Sequence, residues 1–211
     1  MSDAIEAIKE WVIKGKKAEA VAATRAALAA GVDPGAIMKD GLIAAMSVVG
    51  QKYSSGEFFL PQMMIAARAM TEVVPVIKPL LVGEVAESKG KAVVGTVQGD
   101  FHDIGKNIVR MMLEGAGYEV VDLGVDVSAE KFVQAVRVHA PQFVLMSALI
   151  TLTMESMRRI IAALQEAGLR DSVRIGVGGA PLTHKFAQEI GADFYAEDAY
   201  ECVNACNQRI A

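Results

Sequence analysis

The segment Asp100-Phe101-His102-Asp103-Ile104-Gly105 contains the side chains of this protein that are best suited to bind a metal. It follows an apolar, strand-like run at residues 92–97 and precedes a helix-like run. On such a loop a neutral imidazole can coordinate a metal through one ring nitrogen, while a nearby carboxylate accepts a hydrogen bond from the other nitrogen. The pattern therefore indicates His102 as a metal ligand that Asp100 orients. The alternative is that His102 is only solvated and that Asp103 caps the following helix.

Three further segments with ligand-suited residues follow other strand-like runs. Hydroxyl groups follow the third predicted strand, a glycine pair ends the fourth, and a short polar segment surrounds the fifth. The residues concerned are Ser147, Thr151 and Thr153, then Gly178 and Gly179, and finally residues 191–199 with Ala196 and Asp198. Because ligands of open parallel sheets bind beyond the carboxyl ends of the strands, these segments predict a common crevice. The alternatives are that Ser147 satisfies a strand-end amide and that the glycines form an ordinary turn.

From Lys91 onward, short β-rich runs alternate with amphipathic helix-like runs. The predicted strands are Ala92–Val97, Tyr118–Asp122, Phe143–Met146, Val173–Val177 and Phe194–Tyr195. The predicted helices are Ile104–Glu114, Ala129–Val138, Met154–Ala167, Leu182–Ile190 and a last one from about Ala199. This alternation predicts an α/β domain with a five-stranded parallel sheet in the flavodoxin-like order. In that order the first and third strands are neighbours, so the loops that carry His102 and Ser147 border the same crevice.

Residues 1 to about 82 have a helical period throughout. Asp33-Pro34 is a helix restart, with an N-cap followed by proline at the first helical position, and Pro61 opens a later helix. We expect about four helices, which are enough for a small bundle. The chain is therefore expected to consist of an N-terminal helical bundle at residues 1–85 and the α/β domain at residues 91–211.

Two segments of the helical half allow more specific expectations. The stretch at residues 81–90 loses the helical period and gains charge and glycine, which indicates a linker between the domains. Phe58, Phe59 and Leu60 have the spacing of buried residues, and we expect them in the core of the bundle.

The composition excludes several classes of function. The chain has 211 residues and a formal net charge of −4, which argues against a general nucleic-acid surface because that needs clustered basic charge. Its longest uncharged apolar stretch, residues 143–154, is shorter than the roughly 20 residues that span a bilayer. The N-terminus lacks the basic and apolar regions of a signal peptide. We therefore expect a cytoplasmic protein that binds neither membrane nor nucleic acid, with Cys202 and Cys206 as buried structural thiols.

Together these segments resemble the corrinoid-binding region of methionine synthase and, over nearly the whole chain, the small corrinoid proteins of methyl-transfer systems. The resemblance is carried by Asp-x-His-x-x-Gly at residues 100–105, by Ser-x-Leu at residues 147–149 and by Gly178-Gly179. The helical half, with Gly50-Gln51-Lys52-Tyr53 and Phe58-Phe59-Leu60-Pro61-Gln62-Met63, looks like the cap domain of that family. The resemblance implies a cobamide cofactor, either cobalamin or a related corrinoid, with cobalt at its centre.

The resemblance also implies roles for individual residues. His102 would be the lower axial ligand to cobalt, and Asp100 and Thr153 would form a relay behind it, with threonine where the family has serine. Gly105 would keep clear the path of the nucleotide tail. The residues expected to line the rest of the pocket are Asp103, Ser147, Leu149, Thr151, Gly178, Gly179, Ala196 and Asp198. Phe59, Leu60 and Met63 would contact the upper face of the corrin from the cap, and a hinge is expected at residues 83–90.

The function that the resemblance implies is that of a methyl carrier rather than of a complete enzyme. A substrate-specific methyltransferase would load the methyl group, and an acceptor-side methyltransferase would pass it to a thiol such as coenzyme M or to tetrahydrofolate. A reductive activator completes the expected partners, and self-association into a homo-oligomer stays open. The methyl donors of such systems are methanol, methylamines, glycine betaine and aryl methyl ethers, and the sequence does not choose among them.

Three other functions fit parts of the pattern. The cobalamin-binding subunit of a carbon-skeleton mutase shares the Asp-x-His-x-x-Gly loop but does not need the helical half. A cobalamin-dependent sensor or regulator should carry a DNA-binding or signalling module, and no basic recognition helix is evident. A flavodoxin-like domain for another ligand would carry a first loop rich in Ser, Thr and Gly, whereas this loop offers Asp and His.

Overall fold

The computed structural model of the protein describes residues 2–81 and 88–210. The chain forms two compact units, the first made mainly of Met1–Ser88 and the second of Lys89–Glu114 with Tyr118–Ala211. The predicted linker and hinge fall largely on residues 82–87, which lie outside the described residues. No helix in the two described ranges is long and apolar enough to cross a membrane.

The first unit is helical, as the sequence predicts. Its elements are α1 (Ser2–Ile13), α2 (Lys17–Ala29), α3 (Pro34–Ala36), a π-helical stretch (Ile37–Ile43), α4 (Ala44–Ser54), α5 (Leu60–Ile77) and a 3₁₀ turn (Lys78–Leu80). The predicted restart at Asp33-Pro34 is confirmed, because the Asp33 carboxylate accepts a hydrogen bond from the Ala36 N–H at 2.8 Å. Within this unit α1 packs against α2, α4 and α5.

Phe59 is 65% exposed, so its predicted place in the bundle core is wrong. It is the residue before α5 and has an extended backbone, at φ −104° and ψ 173°, so it lies outside the helical period. Its N–H donates a hydrogen bond to the Oε1 atom of Gln62 at 3.1 Å, which holds the first turn of the helix. Phe58 and Leu60 are half-buried.

The second unit is a parallel α/β structure. Its strands are β1 (Lys91–Thr96), β2 (Glu119–Asp122), β3 (Phe143–Ser147), β4 (Arg174–Gly178) and β5 (Phe194–Tyr195). Its helices are α6 (Ile104–Gly115), α7 (Ala129–His139), α8 (Met154–Glu166), α9 (His184–Ile190) and α10 (Ala199–Arg209). The strand order β2-β1-β3-β4-β5, with parallel pairs throughout, confirms the flavodoxin-like prediction. Cys202 and Cys206 are buried on α10, as predicted.

The core of this unit lies between the sheet and the helices. Val93, Val144 and Ile175 are fully buried in a hydrophobic cluster with side chains of α7, α8 and α9. Alternate residues of the strands, such as Val94 and Leu145, face the other side of the sheet and are also buried. Because the chain moves outward from β1 to β2 and then back to β3, right-handed crossovers place α6 and α7 on opposite faces.

The central strands end at one level, and this positions the loops that follow them. Thr96 of β1 pairs with Ser147 of β3, and Ser147 pairs with Gly178 of β4. The loops after β1, β3 and β4 therefore leave the sheet side by side. This confirms the prediction that the loops carrying His102 and Ser147 share one edge of the sheet.

Candidate functional site

The loop after β1 places an exposed imidazole next to a buried carboxylate. The chain leaves β1 at Thr96, turns at Gly99, whose φ of 84° lies in the left-handed region, and enters α6 at Ile104. Within this loop Asp100 is fully buried, whereas the His102 side chain is 54% exposed. The ring can therefore be reached from outside while its partner cannot.

The carboxylate of Asp100 connects two loops. Its Oδ1 atom accepts a hydrogen bond from the His102 N–H at 3.0 Å and lies 2.8 Å from Nδ1 of the same residue. Its Oδ2 atom accepts from the N–H groups of Leu149 at 2.7 Å and Ile150 at 3.2 Å, and from the Thr153 hydroxyl at 3.0 Å. The structure thus brings together the three predicted relay residues, and it fastens the loop after β3 to the loop after β1.

These hydrogen bonds determine the charge of Asp100 and the tautomer of His102. Burial alone would raise the pKa of Asp100, but the hydrogen bonds from Leu149, His102 and Thr153 together hold that pKa well below its ordinary range. An ionised carboxylate only accepts hydrogen bonds, so the proton between the two side chains belongs to Nδ1 of His102. In the neutral ring the Nε2 atom then carries the lone pair, and the contact with Asp100 orients the ring so that Nε2 can bind a metal.

Two buried threonines hold these loops in place. The Thr153 hydroxyl lies 3.0 Å from Oδ2 of Asp100 and 2.7 Å from the Ile150 carbonyl oxygen, and its single proton can serve only one of them at a time. The Thr96 hydroxyl donates to the His102 carbonyl oxygen at 2.9 Å, and Thr96 is fully buried. Sequence reasoning missed Thr96. The signal was a hydroxyl residue at the end of an apolar strand, directly before the loop.

Exposed apolar side chains lie on the loop after β1, which carries His102, and on the loop after β3. They are Phe101, Ile104, Leu149, Ile150 and Leu152, of which Leu152 is the most exposed at 88%. Large apolar side chains grouped at a surface are typical of a binding site for an apolar ligand or partner. Both loops therefore carry exposed apolar surface at the edge of the sheet where His102 lies.

Gly105 and Asp103 lie at the start of α6. A Cβ atom built on Gly105 would meet nothing within 4 Å, so the space beside this glycine is open. The carboxylate of Asp103 accepts a hydrogen bond from the Asn107 side-chain amide at 3.0 Å. Both residues lie in the same loop region as His102, as the sequence indicates.

The predicted pocket glycines at the end of β4 lie close to the backbone of neighbouring loops. A Cβ on Gly179, whose φ is 133°, would lie 1.9 Å from the Ala148 carbonyl oxygen. A Cβ on Gly178 would lie 3.0 Å from the carbonyl oxygen of Ala196, which is buried. The Asp198 carboxylate caps α10 by accepting from the Glu201 N–H at 2.8 Å. These glycines thus allow close contact between loops of the protein itself.

The remaining predicted site residues differ in their exposure. Ser147 is half-buried at the end of β3, and Thr151 is exposed in a 3₁₀ turn, Thr151–Thr153. In the helical unit Leu60 is half-buried, whereas Met63 is only 1% exposed.

Comparison with known proteins gives two matches to protein families. A family model described as B12 binding domain matches residues 90–204, which is more than half of the chain. A second model with the same description matches residues 4–78. The two matches fall on the α/β unit and on the helical unit, respectively.

Several relatives share most of their length with this chain. The trimethylamine corrinoid protein of Methanosarcina barkeri is 46% identical over 84% of this chain and 82% of that protein. The dimethylamine corrinoid protein 1 of Methanosarcina acetivorans is 45% identical over 85% of each. Among solved structures, the methanol:cobalamin methyltransferase complex from Methanosarcina barkeri contains a chain with 34% identity and a TM-score of 0.90, matched over 99% of this chain and 80% of that one.

The flavodoxin-like sheet and its histidine loop lie in the region that the B12 binding domain model matches. The chain therefore falls in the class of B12-binding proteins. Within that class, the chain belongs to the family of corrinoid proteins that carry methyl groups in methyltransferase systems. Its cofactor is accordingly a corrinoid, which contains cobalt.

The residues of the site fit such a cofactor. A corrinoid brings its cobalt already held by the ring, so the protein has to supply one axial donor, and imidazole is a suitable ligand for this metal. His102 offers that donor, with its second nitrogen held by Asp100. The exposed apolar side chains of the two loops and the open space at Gly105 suit a large ring with a tail.

Proposed function

We propose that His102 is the lower axial ligand of the corrinoid cobalt, with Asp100 and Thr153 as the relay behind it. The observation that carries this proposal is the 2.8 Å contact between Nδ1 of an exposed ring and a buried, ionised carboxylate. When bound, the cofactor supplies a cobalt centre that takes up and releases a methyl group. His102 contributes the Nε2 lone pair, and Asp100 keeps the proton on Nδ1. The Thr153 hydroxyl can point its hydrogen either at Oδ2 of Asp100 or at the Ile150 carbonyl oxygen, so it would adjust the number of hydrogen bonds that the carboxylate receives.

The nucleotide tail of the cobamide passes, in this proposal, between the strand-end loops of the α/β domain, residues 91–211. The open space at Gly105 supports this path. The residues proposed to line it are Asp103, Ser147, Leu149, Thr151, Gly178, Gly179, Ala196 and Asp198. In the same proposal residues 1–85 would form the cap, with Phe59, Leu60 and Met63 as its contacts to the upper face of the corrin, although Met63 is only 1% exposed in this structure.

The methyl donor that we propose is a methylated amine. Support comes from the relatives that are 46% and 45% identical to this chain, which are named for trimethylamine and dimethylamine. The protein itself is the carrier, and two partner methyltransferases complete the reaction. One is specific for the amine and the other for the acceptor, which is either tetrahydrofolate or a thiol such as coenzyme M. A reductive activator restores carrier that has been oxidised.

The test of the axial ligand is an EPR spectrum of the protein reconstituted with a cobamide in the Co(II) state. One nitrogen ligand splits the cobalt lines into triplets, and labelling of histidine with nitrogen-15 turns these into doublets if that nitrogen is a histidine's. The chain has three histidines, so His102→Ala can be compared with His139→Ala and His184→Ala as matched controls. We expect only His102→Ala to abolish the label-sensitive splitting. A spectrum that does not respond to the label contradicts the proposal.

The methyl donor is tested with the reduced, cobamide-loaded protein and purified methyltransferases for trimethylamine, dimethylamine and methanol. Each pair is given its methyl donor, and the absorption change of the corrinoid is followed with time. We expect methylation with at least one of the amine enzymes at a rate roughly tenfold or more above that with the methanol enzyme, a difference of about 1.4 kcal/mol in barrier height. Faster methylation with the methanol enzyme would overturn the choice of an amine.

A further inference from the structure

Asp126, in the loop between β2 and α7, forms two hydrogen bonds with the loop that carries His102. Its backbone N–H donates a hydrogen bond to the Asp100 carbonyl oxygen at 3.0 Å. Its side-chain Oδ1 atom accepts one from the Gly99 N–H at 2.7 Å. These two bonds bracket the dipeptide Gly99-Asp100 at its amino and carboxyl ends, so a single residue holds the backbone from which the Asp100 carboxylate projects.

The backbone of Asp126 is held in an uncommon conformation to make this contact. Its φ of 53° lies in the left-handed region, and among the described residues Ala140 is the other non-glycine residue with a positive φ. Asp tolerates this region better than most residues, yet the conformation is still uncommon for a residue that has a Cβ atom. Backbone strain of this kind persists only where the surrounding structure enforces it.

Thr96 provides that enforcement on both sides of Asp126. The Thr96 N–H donates to the Gly124 carbonyl oxygen at 3.0 Å, and the Val127 N–H donates to the Thr96 carbonyl oxygen at 3.0 Å. Residues 124 and 127 are thus tied to the last residue of β1, and the left-handed turn at Asp126 directs both its N–H and its carboxylate towards Gly99-Asp100. The Thr96 hydroxyl meanwhile holds the His102 carbonyl oxygen.

The position of the Asp100 backbone decides which atoms its carboxylate can reach. Oδ1 must meet Nδ1 of His102 while Oδ2 meets the loop after β3, and both contacts are between 2.7 Å and 3.2 Å. A small displacement of Gly99-Asp100 would lengthen one set or the other, and hydrogen bonds weaken steeply as their geometry departs from the optimum.

We propose that Asp126 is a positioning residue, which acts through Asp100 to hold His102 in the tautomer with the proton on Nδ1. Its effect on cobalt ligation rests on the proposed function of His102, but its effect on the tautomer does not. Asp126 is exposed, so its side-chain hydrogen bond adds little to stability. The loss of its carboxylate is therefore expected to change the state of His102 more than the stability of the fold.

Three variants separate the effect of the Asp126 carboxylate, as a hydrogen-bond acceptor, from the effect of its backbone strain. Asp126→Gly removes the carboxylate and relieves the left-handed strain, whereas Asp126→Asn keeps an Oδ1 acceptor and tolerates the same φ. Ala140→Gly is the matched control, since it relieves the same kind of strain at the carboxyl end of α7.

The first readout is the nitrogen-15 spectrum of the histidine side chains in protein without cofactor, at about pH 8.5, where an ordinary histidine is neutral. We expect the population of the Nε2–H tautomer of His102 to rise at least about threefold in Asp126→Gly. It should stay at the wild-type value in Asp126→Asn and Ala140→Gly. An unchanged tautomer in Asp126→Gly would overturn the inference.

The second readout is cobamide binding, measured by titration, together with the label-sensitive EPR splitting. We expect Asp126→Gly to lower the affinity roughly threefold to tenfold, less than the roughly 10- to 100-fold loss typical of a direct partner of the ligand. Asp126→Asn should restore it. If the wild-type spectrum shows no histidine nitrogen, the proposed ligand is wrong, while the tautomer measurement still decides the role of Asp126.

Discussion

Lys106, whose side chain is buried at the beginning of α6, four residues after His102, forms an ion pair with the partly exposed carboxylate of Asp122 at the end of β2. The Lys106 Nζ atom lies 2.7 Å and 2.6 Å from the two carboxylate oxygens, and the Lys106 side chain is 2% exposed. Oδ1 of Asp122 also accepts from the Gly124 N–H at 2.9 Å. Burial alone would raise the pKa of Asp122, but the hydrogen bonds from Lys106 and Gly124 lower it overall. The pair therefore ties the helix after the His102 loop to the loop that contains Asp126.

Removal of the Asp122 carboxylate should destabilise the fold strongly, because it leaves the buried ammonium of Lys106 without its counter-charge. We expect Asp122→Ala to lower the free energy of unfolding by about 3 kcal/mol, measured by urea denaturation. Glu155→Ala, which removes an exposed ion pair with Arg158 in the same unit, should cost no more than about 1 kcal/mol. Equal losses in the two variants would contradict this account.

Gly105→Ala should separate folding from cofactor binding. The new methyl group would enter open space at the start of a helix, so the melting temperature without cofactor should stay the same or rise slightly. If the tail of the cobamide passes here, the affinity for cobamide should fall roughly tenfold or more, because overpacking costs about 1–3 kcal/mol. Undiminished affinity would show that the tail takes another path.

Gly179→Ala should be far more harmful to the fold than substitution at a glycine that faces open space. Its Cβ would lie 1.9 Å from the Ala148 carbonyl oxygen, and its φ of 133° is unfavourable for alanine, so we expect a loss of at least about 3 kcal/mol. Gly191→Ala, with a positive φ but nothing within 4 Å, should cost about 1–2 kcal/mol. Thermal melts of both variants without cofactor measure the difference.

Acid should weaken the fold partly through Asp100. The folded protein holds the pKa of Asp100 below its value in the unfolded chain, so in acid the unfolded chain binds the more protons. This contribution is complete above the ordinary carboxyl range, at about pH 5, and is lost progressively as the pH falls towards the folded-state pKa. Urea midpoints from about pH 7 down to about pH 3 should therefore fall more steeply for the wild type than for Asp100→Asn. Parallel curves would be the contrary result.

Thr153→Val should remove the hydrogen bond that the Thr153 hydroxyl donates to Asp100, while it preserves the shape of the side chain. We expect a loss of about 1–2 kcal/mol in unfolding free energy, since Thr153 is 8% exposed and bonds to a charged group. Thr153→Ser keeps the hydroxyl and should restore most of the lost stability. Failure of serine to do so would assign the effect to packing of the methyl group.

The architecture of the second unit could be predicted because each element carries its own local signal. Buried parallel strands are continuous apolar runs, so β3 was predicted to within one residue of its observed range, Phe143–Ser147. The sequence pattern predicts the start of α9 two residues too early, at Leu182. In the structure, Thr183 accepts a hydrogen bond from the Phe186 N–H and is the N-cap, so the helix begins at His184.

The candidate site could be predicted only in part, because several of its contacts join residues that are distant in the chain. His102 and Asp100 were found together because their spacing is local. Asp126 contacts Gly99 across 27 positions, and the Leu149 N–H reaches Asp100 across 49. Such contacts depend on which loops the sheet order brings together, and an exposed Asp or a backbone N–H has no distinctive pattern in the sequence. Phe59 was misplaced for a related reason, since the spacing does not reveal that the helix begins one residue later.

The shared carboxylate of Asp100 limits how this site can be moved into another protein. The groups on the loop after β3 that donate hydrogen bonds to Asp100 lie 49 to 53 positions further along the chain. The six residues at 100–105 therefore cannot form this site on their own. Grafted alone onto a flavodoxin-like host, they would bury a carboxylate that lacks most of its donors, and it would take up a proton and release the imidazole. A designer would have to transplant the 148–153 loop as well, on the adjacent strand and in the same register.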